Sequence, residues 1–109
     1  MAGSKAVRPR RVRVLGKRYD ISYLPEEQLP DVYGLCHRGE QRIDIRDGLP
    51  ECEEADTVLH ELLHAVLYGM GVQLPEATEE KFVLAAASGL IGVLQDNPQF
   101  ARWLIKPRS

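Results

Sequence analysis

The chain has 109 residues, of which 44% are hydrophobic and 28% charged, and its net charge is −2. This length favours one domain with one core, and the composition is that of a folded globular protein, which excludes a disordered chain. No window offers the ~18 uncharged apolar residues of a membrane span, and the first residues lack the apolar stretch of a signal peptide, so we expect a cytoplasmic protein without a membrane partner.

The N-terminal half has the pattern of short strands. Residues 1–10 are small, basic and contain proline, so we interpret them as a flexible tail before a single domain over residues 11–109. Two alternating apolar runs flank Gly16-Lys17, which we interpret as a two-residue hairpin turn with glycine first. Residues 33–37 and 41–46 form a second predicted strand pair.

The first predicted helix follows this second strand pair. It begins near Pro50, because a first helical position does not need the N–H that proline lacks. Apolar residues then recur at helical spacing until Gly69 and Gly71 end the helix.

A second helix is predicted to begin between Pro75 and Thr78, and its almost continuous apolar sequence predicts burial. Gly89 and Gly92 within it lower its helix propensity, which is tolerable if another backbone packs closely there. Asn97 is then the predicted N-cap of a short C-terminal helix.

The first helix contains the motif His60-Glu61-Leu62-Leu63-His64, which is H-E-x-x-H. On a helix its two histidines lie in neighbouring turns of one face, where two imidazoles can bind one zinc ion (Zn²⁺). Glu61 is rotated ~100° from His60 about the helix axis and can accept a proton beside the metal without ligating it. The apolar flanks indicate a buried helix, in which these polar side chains need partners.

A third ligand is predicted at the start of the second helix, about fifteen residues after His64 in the sequence. Glu80 and Glu79 both share faces with apolar residues, so helical periodicity barely separates them. Glu80 is the favoured ligand and Glu79 the alternative. His37, on a predicted strand, is expected to have a structural role.

Residues 57–65, 80–83 and 96–98 together resemble the minimal zincin metallopeptidases of the ImmA/IrrE type and their relatives encoded by phages and prophages. The similarity covers approximately residues 33–104. It implies an α+β fold, in which a small, mostly antiparallel sheet packs on two main helices and a short C-terminal helix.

The resemblance also implies a site. His60, His64 and Glu80 would be the zinc ligands and Glu61 the catalytic base. An extended substrate would pair with the edge strand of the sheet, which we predict to be residues 42–46.

The favoured function is that of a zinc metallo-endopeptidase acting on a peptide or protein substrate, in which Glu61 activates a water and returns its proton to the leaving amine. Tyr68, Tyr33 and Tyr23 are candidates for stabilising the oxyanion, and the sequence does not choose among them. The alternative is a non-catalytic zinc-binding interaction module of phage or mobile-element origin. An intact Glu61 argues against it, because a structural zinc site has no use for a base.

Seven basic residues between positions 5 and 18 raise a third possibility, contact with nucleic-acid phosphates. Alternation within the strand sends Arg11 and Arg13 to one face, as in any half-exposed hairpin, and no aromatic residues are interleaved to form a stacking platform. The run therefore predicts a solvated surface and argues against a nucleic-acid partner.

Overall fold

A computed structural model describes residues 7–108, which form a sheet and helices in the predicted α+β arrangement. The elements in chain order are β1 (Arg11–Val14), β2 (Lys17–Leu24), β3 (Gly34–His37), β4 (Arg42–Arg46), α1 (Glu51–Gly69), α2 (Glu76–Asp96) and α3 (Pro98–Ile105). Over this range no helix combines the length and the apolar character that crossing a membrane requires.

The sheet has the strand order β1-β2-β4-β3. β1 with β2 and β3 with β4 are antiparallel, whereas β2 and β4 are parallel, with Ile21 opposite Ile43. The prediction that residues 42–46 form an edge strand is therefore wrong. These residues are β4, which is paired on both sides, and the edges are β1 and β3. Ile43 and Ile45 are buried on one face of this central strand, and Asp44 is buried on the other, where its carboxylate contacts His37 and Arg42.

The turn between β1 and β2 lies one residue earlier than predicted. Val14 pairs with Lys17, so the two turn residues are Leu15 and Gly16, not Gly16 and Lys17. Both have positive φ, 53° and 84°, which is the signature of a type I′ turn. The twist of this turn matches that of the two strands, and glycine takes the second left-handed position.

Helix α1 is the central layer of the molecule. It begins directly after Pro50, which occupies the N-cap position, not the predicted first helical one. One face packs on the sheet, where Ala65 joins the core, and the other face packs on α2. The buried core residues shared by the sheet and α1 are Val14, Tyr19, Ile21, Ile43, Ile45 and Ala65. The histidine motif therefore lies on a helix covered from two sides.

Helix α2 is much less buried than its apolar sequence predicts. Its only buried residues are Glu79, Val83 and Ala87, which recur every four positions and form the stripe facing α1. Phe82 and Leu84 are 54% and 57% exposed. The prediction of burial is wrong because α2 is an outer layer, and one contacting helix covers only one stripe of its surface.

The C-terminal half of α2 contains the two glycines and leads to Asn97, which occupies the predicted N-cap position of α3. A Cβ added at Gly89 or Gly92 would meet nothing within 4 Å, so no backbone packs closely there. Asn97 lies at the N-cap position of α3, but its side chain does not cap that helix. Its amide donates a hydrogen bond to the carbonyl of Val93 at 2.9 Å and thereby satisfies the C-terminal end of α2.

The predicted tail lies partly outside the described residues, since positions 1–6 are not described. Its last residues contact the domain. Arg8 forms ion pairs with Asp47 at 2.7 Å and Glu54 at 3.2 Å, and the Tyr23 hydroxyl donates to the carbonyl of Pro9 at 2.7 Å.

Candidate metal centre

His60 and His64 are adjacent on α1, because residues four apart fall on the same face of a helix. Their ring centroids are 5.0 Å apart, with 62° between the ring planes. Both side chains are largely buried, since that of His60 is 14% exposed and that of His64 is 11% exposed. The two imidazoles thus form a preorganised pair under the first turn of α2.

Glu80 brings the carboxylate to this pair. Its Oε1 lies 2.6 Å from Nε2 of His60, and its Oε2 lies 3.0 Å from Nε2 of His64. One ligand atom from each of these three residues falls within 4.8 Å of the others, and among residues 7–108 no other group of His, Cys, Asp or Glu side chains converges in this way. The turn between α1 and α2 folds α2 back so that its first turn covers the motif.

Glu79 occupies a different place. It is buried, and its Oε2 lies 2.6 Å from Nδ1 of His64, the ring nitrogen that faces away from Glu80. Accepting a hydrogen bond from Nδ1 keeps the proton on that atom and leaves the lone pair on Nε2. The structure therefore places Glu80 against Nε2 of both histidines, in a group that could hold a metal ion, and Glu79 behind His64, where it orients the ring.

Arg38 completes this chain of contacts, and sequence reasoning missed it. It lies in the short turn between β3 and β4 and donates from Nη2 to Oε2 of Glu79, across 41 positions of sequence. The guanidinium supplies the positive charge that a buried carboxylate needs. No local pattern marks Arg38, because its role depends on β3 ending beside the first turn of α2.

Glu61 is the least partnered polar group of the site. It is only 7% exposed, and among the described residues its side chain forms no hydrogen bond or ion pair. Burial raises the pKa of Glu61 above the usual carboxyl value, and the neighbouring imidazoles of His60 and His64 oppose that rise. A buried carboxylate of raised basicity beside two imidazoles is suited to accept a proton.

Gly34, at the start of the edge strand β3, allows this strand to pass close to α1. A Cβ at this position would lie 2.9 Å from Cγ2 of Thr57 and 3.0 Å from Cγ of Glu61. Only a residue without a side chain permits such an approach. Gly34 therefore brings the edge strand against the carboxylate of Glu61, and the sequence analysis did not identify it.

Two clefts meet at this point, and both are lined by Val32, Gly34, Glu61 and Glu80. The first, about 470 Å³, lies on the His60 side, and we call it the acidic cleft; it is further lined by Asp31, Tyr33, Glu53, Asp56 and Leu84. The second, about 670 Å³, lies on the His64 side, and we call it the Arg38 cleft; it is further lined by Leu35, Cys36, Arg38, Leu74 and Glu76.

Other candidate ligands lie outside the metal-binding group. Nε2 of His37 is 2.8 Å from Oδ2 of the buried Asp44, in agreement with the predicted structural role. Cys36 is half-buried on β3, and burial raises the pKa of its thiol to about 11, so it stays protonated at neutral pH.

The three tyrosines proposed for the oxyanion have different surroundings. Tyr33 lines the acidic cleft, and the guanidinium of Arg46, which does not line the cleft, lies 5.0 Å from the Tyr33 ring. Tyr68 is half-exposed at the end of α1, with Arg38 5.9 Å from its ring. Tyr23 lines a different pocket, and its hydroxyl is bonded to Pro9, so it does not belong to this site.

Comparison with protein-family models, with curated proteins and with solved structures found no significant match.

The close approach at Gly34 can be tested by substitution. Gly34→Ala should lower the free energy of unfolding by about 1–3 kcal/mol, because the new methyl group overpacks against Thr57 and Glu61. Gly39→Ala is the matched control, since a Cβ at Gly39 meets nothing within 4 Å, and it should change stability by less than about 1 kcal/mol. Urea denaturation measures both, and equal stability of the two variants would contradict the proposed contact.

Proposed function

We propose that this chain is a zinc-dependent metallo-endopeptidase. The observation that carries the proposal is the convergence of His60, His64 and Glu80 beside the buried, unpartnered carboxylate of Glu61. Neither part alone would be sufficient. A histidine–carboxylate cluster without a nearby base would fit a structural metal site. A buried glutamate without nearby metal ligands would have no evident catalytic use.

The donor set fits zinc. Two neutral imidazoles and one carboxylate are a ligand combination of catalytic zinc sites, which keep a further position open, whereas structural sites are closed by four protein ligands. The side chain of Glu80 is 56% exposed and lines both clefts, so the group is accessible from solvent. Glu79 behind His64 is the type of outer partner that fixes the tautomer of a metal-binding histidine.

When bound, zinc would supply Lewis acidity, which polarises a peptide carbonyl and makes a water molecule easier to deprotonate. Glu61 would accept a proton from a water molecule beside it and would later deliver that proton to the amine of the leaving group.

The edge strand β3 suits an extended peptide. Its outer edge is not paired within the described sheet, and Gly34 brings its backbone against Glu61. A substrate that adds as a further strand would place its own backbone along the mouth of both clefts, with side chains alternating into them. The substrate strand thus pairs with β3 in this proposal, in place of the β4 segment expected from the sequence.

Substitution of the base tests the proposal. Glu61→Gln should reduce hydrolysis of a random peptide mixture by about 100-fold or more, because the amide cannot accept the proton, while the protein still binds one zinc. Glu27→Gln, on an exposed turn that lines neither cleft, is the control and should cleave as the wild type does. Mass spectrometry of the peptides gives the rates. A zinc-loaded wild type that cleaves no better than Glu61→Gln would favour the non-catalytic module.

The different positions of Glu80 and Glu79 predict different losses of metal affinity. Glu80→Ala removes a ligand and should weaken zinc binding more than Glu79→Gln, which removes an outer partner and should cost about 10–100-fold. Competition with a chromophoric chelator measures both constants. A larger loss in Glu79→Gln than in Glu80→Ala would reverse the two assignments.

A further inference from the structure

The acidic cleft has a one-sided charge. Beyond the metal-binding group it is lined by the carboxylates of Asp31, Glu53 and Asp56, and no Lys or Arg contributes to its lining. Among residues 7–108 none of these three carboxylates forms an ion pair with a basic side chain. Asp56 is held in place from α2, since the hydroxyl of Ser88 donates to its Oδ2 at 3.1 Å.

A second, independent observation points to an occupant of this cleft. The inner end of the cleft is formed by Glu61, which is more than nine-tenths buried and has no hydrogen-bonding partner in the described chain. No fully buried side-chain oxygen of the described residues lacks a hydrogen-bonding partner, so the oxygens of Glu61 are open to the cleft. A group that enters the cleft can therefore reach this carboxylate and hydrogen-bond to it.

The carboxylates of the acidic cleft are too far apart to bind a second metal ion. Convergence of three ligand atoms occurs only at His60, His64 and Glu80 within the described part of the chain. Carboxylates that are spread along a cleft fit an elongated cation better than a compact divalent ion, which needs its ligands within one coordination sphere.

The walls of the cleft are apolar. Val32, Tyr33 and Leu84 all line it and are all exposed to solvent. A lysine or arginine side chain combines an apolar stem with a charged end, and such side chains lay their methylene groups along apolar surface while the charge stays at a polar site. Stem and charge thus match the walls and the carboxylates of this cleft.

We propose that the acidic cleft binds a lysine or arginine side chain of the substrate, next to the bond that is cleaved. The inference rests on the proposed peptidase function, because the scissile bond must lie at Glu61, where the two clefts meet. It deepens that function by naming the substrate class, which is peptides with a basic residue beside the cleaved bond.

Short blocked alanine-rich peptides with a central lysine, norleucine or glutamate test this proposal. Norleucine has nearly the same stem as lysine without its charge. Binding is measured by calorimetry on zinc-loaded Glu61→Gln protein, and cleavage on the wild type. The lysine peptide should bind about tenfold more tightly than the norleucine peptide at low salt, since exposed ion pairs each contribute about twofold to fivefold. This ratio should fall as salt rises.

Removing the two helical carboxylates should abolish the preference. In Glu53→Gln/Asp56→Asn the lysine to norleucine ratio should approach one, whereas Glu26→Gln/Glu27→Gln, which removes the same charge from an exposed turn outside the cleft, should keep it. Thermal unfolding verifies that each variant is folded, and the single substitutions replace the double one if it is not.

The outcomes separate this proposal from the peptidase proposal. Equal binding of the lysine and norleucine peptides, binding of neither, or a ratio unchanged in Glu53→Gln/Asp56→Asn would overturn the inference. Hydrolysis without a charge preference would leave the peptidase standing and remove the basic substrate class. A lysine preference that depends on Glu53 and Asp56 without any hydrolysis would support the cleft as a binding site and contradict the peptidase.

Discussion

Helix α1 carries charged and titratable side chains on a face that the fold covers from two sides, and the arrangement of the site follows from this constraint. A buried polar group without a partner costs on the order of 1–3 kcal/mol, and an unpaired charge costs more. Glu80 contacts both histidines, Glu79 contacts the second nitrogen of His64, and Arg38 neutralises Glu79. Glu61 alone has no hydrogen-bonding partner among the described residues, and this is why we propose it as the base.

The order of strands gives this helix face its access to solvent. Since β4 pairs with both β2 and β3, the strand beside the motif is an edge strand, and Gly34 lets its backbone reach Glu61. A bulkier residue there would push β3 away from α1 and separate the edge from the carboxylate. The two clefts open on either side of this contact, one with an acidic lining and one with Arg38. The access of solvent to the histidines and to Glu61 thus depends on the close approach of β3 to α1 at Gly34.

The parts of the site predicted from sequence are those set by local geometry. The spacing of His60 and His64 on a helix follows from its period, and so does the side position of Glu61. The distinction between Glu79 and Glu80 does not follow from the helix period, because both lie in one turn. Only the packing of α2 on α1 decides which of them faces Nε2 of His64. Arg38 and the central place of β4 depend on contacts between distant segments. The burial of α2 was overestimated because an apolar sequence does not show how many layers cover it.

The ligand set of the bound metal tests the central claim most directly. X-ray absorption at the zinc edge, on protein loaded with one equivalent of zinc, should show only nitrogen and oxygen ligands at about 2.0–2.2 Å, with the outer scattering of two imidazoles. A sulfur ligand at about 2.3 Å would place the metal at a cysteine, and scattering from a single imidazole would separate His60 from His64. Either result would contradict the site, and so would a protein that retains no zinc.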